Sequence, residues 1–166
     1  MQTRSDGLTF EITQEFRRPL ADVWQAWTEA ASLQKWWGPK GCEIGVGRME
    51  LRPGGFFHFS MKFPGGETWW GRFNYREIVE GQRLVWLNSF ANEHCGMARA
   101  PFAADCPLEI ENVVTFGEKD GTTTVKLRAT PFGELPAERK FFEELHPSLK
   151  EGYGGTFAQL AQFLRG

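Results

Sequence analysis

Apolar and polar residues alternate over residues 8–16, where Leu8, Phe10, Ile12 and Phe16 are interleaved with Thr9, Glu11, Thr13 and Glu15. A period of two predicts a first strand buried on one face. The period then changes. Pro19 is placed like the first residue of a helix, and Leu20, Val23, Trp24 and Trp27 recur at helical spacing towards Ala30. A second short helix is expected from an N-cap at Ser32 to about Trp37. Trp37-Gly38-Pro39 stops this pair, because a residue before proline is pushed out of the helical region and glycine supplies turn freedom.

Strand patterns follow at residues 43–51, 56–63, 68–79 and 83–90, separated by Pro53-Gly54-Gly55, Pro64-Gly65-Gly66 and Gly81-Gln82. Residues 91–107 have no period and contain Asn92, Gly96, Pro101 and Pro107, which predicts a long loop serving as a mobile lid or rim. Residues 108–116 and 123–129 predict a last hairpin around Lys119-Asp120-Gly121, with Ile110, Val114, Val125 and Leu127 buried. Residues 131–136 read as a linker. The tail, 137–164, is helical in pattern, but Pro147, Gly152, Gly154 and Gly155 interrupt it. The stripe Phe157, Leu160, Ala161, Leu164 puts the start of a strong final helix between Ser148 and Thr156.

The order strand, two short helices, six strands, long helix implies an α+β helix-grip arrangement: a curved antiparallel sheet of approximately seven strands wrapped around the C-terminal helix. Such a sheet is about 29 Å wide, which a helix of about 20 residues can cross. Two short helices cannot fill its wide end, so a pocket is expected there.

Composition sharpens this picture. The 166 residues fit one domain, with its core over residues 8–164. Seven tryptophans and fifteen phenylalanines exceed what aliphatic packing needs, so the rings either line a space or form a solid aromatic core. The net charge is −2 with both signs interspersed, which is no electrostatic footprint for nucleic acid. Residues 1–7 are polar, and no stretch approaches the about 20 apolar residues of a membrane span, so a cytoplasmic protein is expected. Cys42, Cys95 and Cys106 are odd in number and irregularly spaced, as free thiols would be.

Candidate chemistry is sparse. Gly152-Tyr153-Gly154-Gly155 lacks the preceding strand and following Lys-Ser of a phosphate loop, and no nucleophile elbow is present. Glu93-His94-Cys95 with Cys106 matches no zinc signature, so neither a metal nor another cofactor is expected. His58 alternates with Phe57 and Phe59 and so belongs to the less apolar, more exposed face of its strand.

Pro19-Leu20-Ala21-Asp22-Val23-Trp24, Trp36-Trp37-Gly38-Pro39, Arg52-Pro53-Gly54-Gly55-Phe56-Phe57 and Met61 occur in an order that resembles the SRPBCC (START-like, helix-grip) superfamily. Gly71-Arg72-Phe73-Asn74-Tyr75-Arg76-Glu77-Ile78, Arg83-Leu84-Val85-Trp86 and Gly152-Tyr153-Gly154-Gly155 extend the resemblance over residues 8–164. The branch it resembles is the domain named after the activator of the heat-shock-protein ATPase. The superfamily is similar to START lipid-binding domains, plant hydrophobic-ligand carriers and polyketide cyclases, and the fold alone does not transmit a reaction. The eukaryotic activator carries a further N-terminal domain that grips its chaperone, whereas only residues 1–7 precede the first strand pattern here.

Resemblance and alternation together nominate a ligand site. Trp24, Trp27 and Trp37 would come from the short helices. Phe57, Phe59, Met61, Trp69, Phe73 and Trp86 would come from the sheet, and Tyr153 and Phe157 from the final helix. Arg72 or Arg99 would anchor a ligand carboxylate. Three readings stay open: a noncatalytic carrier or sensor of a small hydrophobic ligand, an enzyme resembling cyclases or dehydratases, and a surface module with a chaperone or a second copy as partner. A buried His, Glu or Arg with its polar end inside the cavity would favour the enzyme, and an entirely apolar cavity the carrier.

Overall fold

The computed structural model describes residues 8–165, so the polar stretch 1–7, expected to hold no leader, lies outside it. Eight strands and three helices follow one another: β1 (Phe10–Phe16), α1 (Leu20–Thr28), α2 (Ala30–Trp36), β2 (Glu43–Met49), β3 (Phe56–Lys62), β4 (Thr68–Val79), β5 (Arg83–Ala91), β6 (Met97–Ala98), β7 (Ile110–Lys119), β8 (Thr122–Pro131) and α3 (Pro136–Arg165). Every pairing is antiparallel, in the order β1-β8-β7-β5-β4-β3-β2, with β6 added beside β5. This is the expected α+β helix-grip arrangement.

The topology dictates where the short helices lie. β1 and β2 are successive strands at opposite edges of the sheet, so α1 and α2 must carry the chain across its whole width. They do so on the face that α3 occupies, in contact with it. Pro19 caps α1 from an extended conformation instead of lying inside it, and Glu29, not Ser32, caps α2. The amide of Ser32 already donates to the Glu29 carbonyl at 3.1 Å.

In the last hairpin Val114 pairs with Leu127 and Phe116 with Val125, and these inward residues are buried as their alternation requires. Ile110, opposite Pro131 at the end of the ladder, is only half-buried. The centre of the core is aromatic. The Trp27 ring meets Trp36 at 4.7 Å between centroids and lies 6.0–6.2 Å from Trp37, Trp86, Phe116 and Phe157, mostly edge to face. This is the geometry the aromatic quadrupole prefers. The indole N–H of Trp36 donates to the Ala26 carbonyl at 2.9 Å and ties the two short helices together.

Two longer segments also differ from their sequence pattern. First, α3 runs unbroken from Pro136 through Pro147 and all three glycines. Pro136 suits the first turn of a helix, where its missing N–H costs nothing. Pro147 and the glycines together disfavour the helix by several kcal/mol. Burial of Phe142, Phe157, Leu160 and Leu164, at about 1.5–3 kcal/mol each, offsets this. Local propensity is overridden by tertiary packing.

Second, residues 91–107 are not a plain loop. Ala91 remains in β5, and Met97–Ala98 return beside it, with Phe90 opposite Ala98. The Asn92 side-chain oxygen accepts from the amides of His94 and Gly96 at 2.9 and 2.8 Å, closing the turn between them. Phe102 then stacks on Trp69, with centroids 5.7 Å apart. No helix among the described residues is long and apolar enough to cross a membrane.

Phe157 is fully enclosed, with Phe16 and Trp27 about it. Enlarging it should therefore strain the core, and Phe157→Trp is expected to lose about 1–3 kcal/mol in chemical denaturation. Unchanged stability would reveal unfilled space at this position.

Candidate ligand cavity

The aromatic packing stops short of the middle of α3. Between that part of the helix and β3, β4 and β5 lies a cavity of about 230 Å³. The sheet wall is formed by Phe59 and Met61 of β3, Gly71 of β4 and Asn88 and Phe90 of β5. Gly71 is needed there, because a Cβ would come within 2.5 Å of the Phe59 ring that crosses over it. The helix wall is the row Leu149, Gly152, Tyr153 and Thr156, whose spacing of three and four residues places them on one face. Ser148 lies at the rim.

Trp37 closes the end next to the core, with Gly38 and Pro39 beside it. Its ring meets Phe73 edge-on at 5.2 Å and lies 6.3 Å from both Trp86 and Tyr153. The segment is fastened to α3 by three hydrogen bonds. Thr156 Oγ1 donates to the Gly38 carbonyl at 2.9 Å, and Gln159 Nε2 donates to the carbonyls of Trp36 and Gly38 at 2.9 and 3.0 Å. Gly38 has φ +97°, and a Cβ there would lie 2.7 Å from Ile44 Cδ1, so glycine alone fits the turn.

Among the described residues no Asp, Glu, Lys, Arg or His lines this space. Its titratable group is Tyr153, which stacks on Phe10 at 5.6 Å and donates its hydroxyl to Asn112 Oδ1 at 3.4 Å. Burial pushes its phenol up to about 12. The thiol of Cys106, on the segment after β6, is likewise pushed up to about 11, first by burial and then by the neighbouring Glu138 carboxylate.

Residues 17–165 match the model of the Activator of Hsp90 ATPase homolog 1-like protein family. The chain belongs to this family. No curated protein matches the chain. Among solved structures, a protein from Mycobacterium smegmatis is 29% identical, with 98% of this chain and 94% of that one covered and a TM-score of 0.77. One from Nitrosomonas europaea is 27% identical, with coverage of 97% and 96% and a TM-score of 0.76. One from Arthrobacter aurescens, at 22% identity and a TM-score of 0.81 over 99% and 90% of the chains, shares the fold.

In this member of the Activator of Hsp90 ATPase homolog 1-like family, the nominated aromatic residues and Met61 divide into three groups. Trp37, Phe59, Met61 and Tyr153 come together around the cavity. Trp27, Phe57, Phe73, Trp86 and Phe157 are buried in the core beneath it, and Trp24 packs edge-on against Phe116 at 5.2 Å. Trp69 belongs to a neighbouring cluster with Phe63, Phe90 and Phe102.

The two arginines stand elsewhere. Arg72 pairs across the sheet with His58 and Ser89, on the face opposite Phe57, Phe59 and Phe73. Its Nη1 donates to the Cys95 carbonyl at 2.6 Å and its Nε to Asn74 Oδ1 at 2.7 Å, so it pins the turn at residues 92–96. Arg99 pairs with Glu138 at the start of α3 and donates to the Cys106 carbonyl at 3.4 Å. Neither reaches the cavity.

His58 is on the expected face, but it is buried instead of exposed, because that same turn and Trp70 cover it. Its Nε2 lies 3.0 Å from the Asn92 carbonyl, and its ring stacks on Trp70. His94 is exposed beside Glu93, and among the described residues no cluster of His, Cys, Asp or Glu is placed to hold a metal ion.

The cavity also contains residues that alternation and resemblance did not nominate: Asn88, Phe90, Leu149 and Thr156. Asn88 carries a signal in the sequence. It is a polar break in the inward-facing run Leu84, Trp86, Asn88, Phe90.

The chain's two tyrosines, Tyr75 and Tyr153, are both held above the ordinary phenol value by burial. Absorbance at 295 nm should therefore show no tyrosinate step near pH 10 in the folded protein. In guanidinium chloride both should ionise at about 10. Because the folded value of Tyr153 is the higher, its contribution to stability is intact below about pH 10 and is lost as pH rises through about 12. Full ionisation of one tyrosine near pH 10 without unfolding would contradict its burial.

Proposed function

We propose that this protein is a carrier or sensor that holds one small hydrophobic molecule in the cavity under α3. The observation that carries this reading is the wall itself, which is apolar and free of charged side chains among the described residues. A cavity of roughly 150 Å³ accepts benzene, so about 230 Å³ suits a ligand of about two fused rings. An enzyme of the cyclase or dehydratase kind needs an acid or base in reach of its substrate, and the nearest thing in this wall is a phenol that stays protonated to about pH 12. A chaperone-interacting module is the second reading. It draws on the family description and on exposed Met97 and Phe102, which lie on the segment after β5.

Gly152 offers a direct test. A Cβ at this position meets nothing within 4 Å, although the residue sits in the row that faces the cavity. Gly152→Leu should place a side chain in the ligand's space while relieving the helix of a glycine worth about 1 kcal/mol. Binding of a fluorescent apolar dye is therefore expected to weaken at least tenfold while the melting temperature is held or raised. Dye affinity equal to that of the parent would remove the cavity as the binding site.

A further inference from the structure

The cavity wall also carries information on ligand chemistry. Taking the cavity as the binding site, on which this inference rests, we infer that it selects uncharged aromatic molecules of about two fused rings bearing one hydrogen-bonding group, and that Asn88 is the residue that reads this group.

Asn88 stands opposite Phe73 on one neighbouring strand and Ile110 on the other, so its side chain is on the face that α3 covers. It lies two residues from both Trp86 and Phe90 on that face, an amide within an apolar surface. Among the described residues its carboxamide has no hydrogen-bond partner, although it is only half exposed.

The other polar groups of the wall are engaged or turned away. Thr156 Oγ1 bonds the carbonyls of Gly38 and Gly152, and Tyr153 donates to Asn112. Ser89 pairs with Arg72, which puts its side chain on the opposite face. Ser148 is exposed at the rim.

A carboxamide both donates and accepts, so it serves a hydroxyl, carbonyl or amine equally. It carries no charge, and a carboxylate or ammonium brought into this wall would lose its hydration without an ionic partner. Trp37, Phe59, Phe90 and Tyr153 contribute four aromatic rings to the lining, which favours a flat aromatic ligand over an aliphatic one of equal volume.

Naphthalene, 2-naphthol and 2-naphthoate separate these contributions when titrated by fluorescence or calorimetry. In the parent, 2-naphthol should bind about five- to tenfold more tightly than naphthalene, the increment of one hydrogen bond, and 2-naphthoate at least tenfold more weakly than 2-naphthol. In Asn88→Leu, which keeps the branching and heavy-atom count of the side chain but not its polar atoms, naphthalene binding should persist while the preference for the naphthol disappears. Asn88→Ser, which withdraws the amide without adding apolar bulk, should lose the preference too, and circular dichroism checks that each variant folds.

Equal affinity for naphthol and naphthalene in the parent would overturn the inference, as would tight naphthoate binding or a preference that survives both substitutions. If neither neutral ligand binds saturably, or if Gly152→Leu leaves both affinities unchanged, the cavity reading itself fails and this inference with it.

Discussion

Trp27 holds together elements that the chain topology would otherwise leave apart. β1 and β2 lie at opposite edges of the sheet, so α1 and α2 have to bridge it, and they need something to rest on. The ring of Trp27 supplies that support through contacts with α2, β5, β7 and α3 at once. Trp36 reinforces the joint from the other side by its hydrogen bond to Ala26. With this end of the helix–sheet space filled by interlocking rings, Trp37 is left as the boundary, one side against Phe73 and Trp86 and the other lining open space. The cavity begins where the aromatic core ends.

The helix over that space is built differently from its ends. Phe142 and the run Phe157, Leu160 and Leu164 anchor α3 on either side. Between them lie Pro147 and Gly152, Gly154 and Gly155, and Cβ atoms added at the glycines would meet no neighbour. Packing therefore does not demand these glycines. They lower the intrinsic helix stability of this stretch by about 1 kcal/mol each relative to alanine. The most weakly determined part of the helix is the part that roofs the cavity.

The fold was legible because its signals are periodic. Alternation in the strands, helical spacing from Leu20 to Trp27, and the turn glycines each act locally, and their order along the chain implied a helix-grip sheet. Length-dependent and tertiary effects were harder to read. Pro147 and the glycines argued against one continuous helix, and only the burial of residues on both sides keeps it whole. The site was legible in part. Trp37, Phe59, Met61 and Tyr153 follow from alternation and order, but the other nominated rings are equally apolar, and nothing in a one-dimensional pattern separates a ring lining a cavity from one packed beneath it. Alternation and resemblance nominate Arg72 and Arg99 as anchors for a ligand carboxylate. The register puts Arg72 on the far face, and Arg99 is held by Glu138, a residue distant in sequence.

The central claim is that an apolar ligand enters between the middle of α3 and β3–β5. Nuclear magnetic resonance mapping of backbone amides during a naphthalene titration tests it most directly. Saturable shifts are predicted at Phe59, Gly71, Asn88, Leu149 and Gly152, while His58, Arg72 and Cys95 on the opposite face stay still. Shifts centred on that opposite face or around Met97 and Phe102, or the absence of any saturable change, would contradict the account.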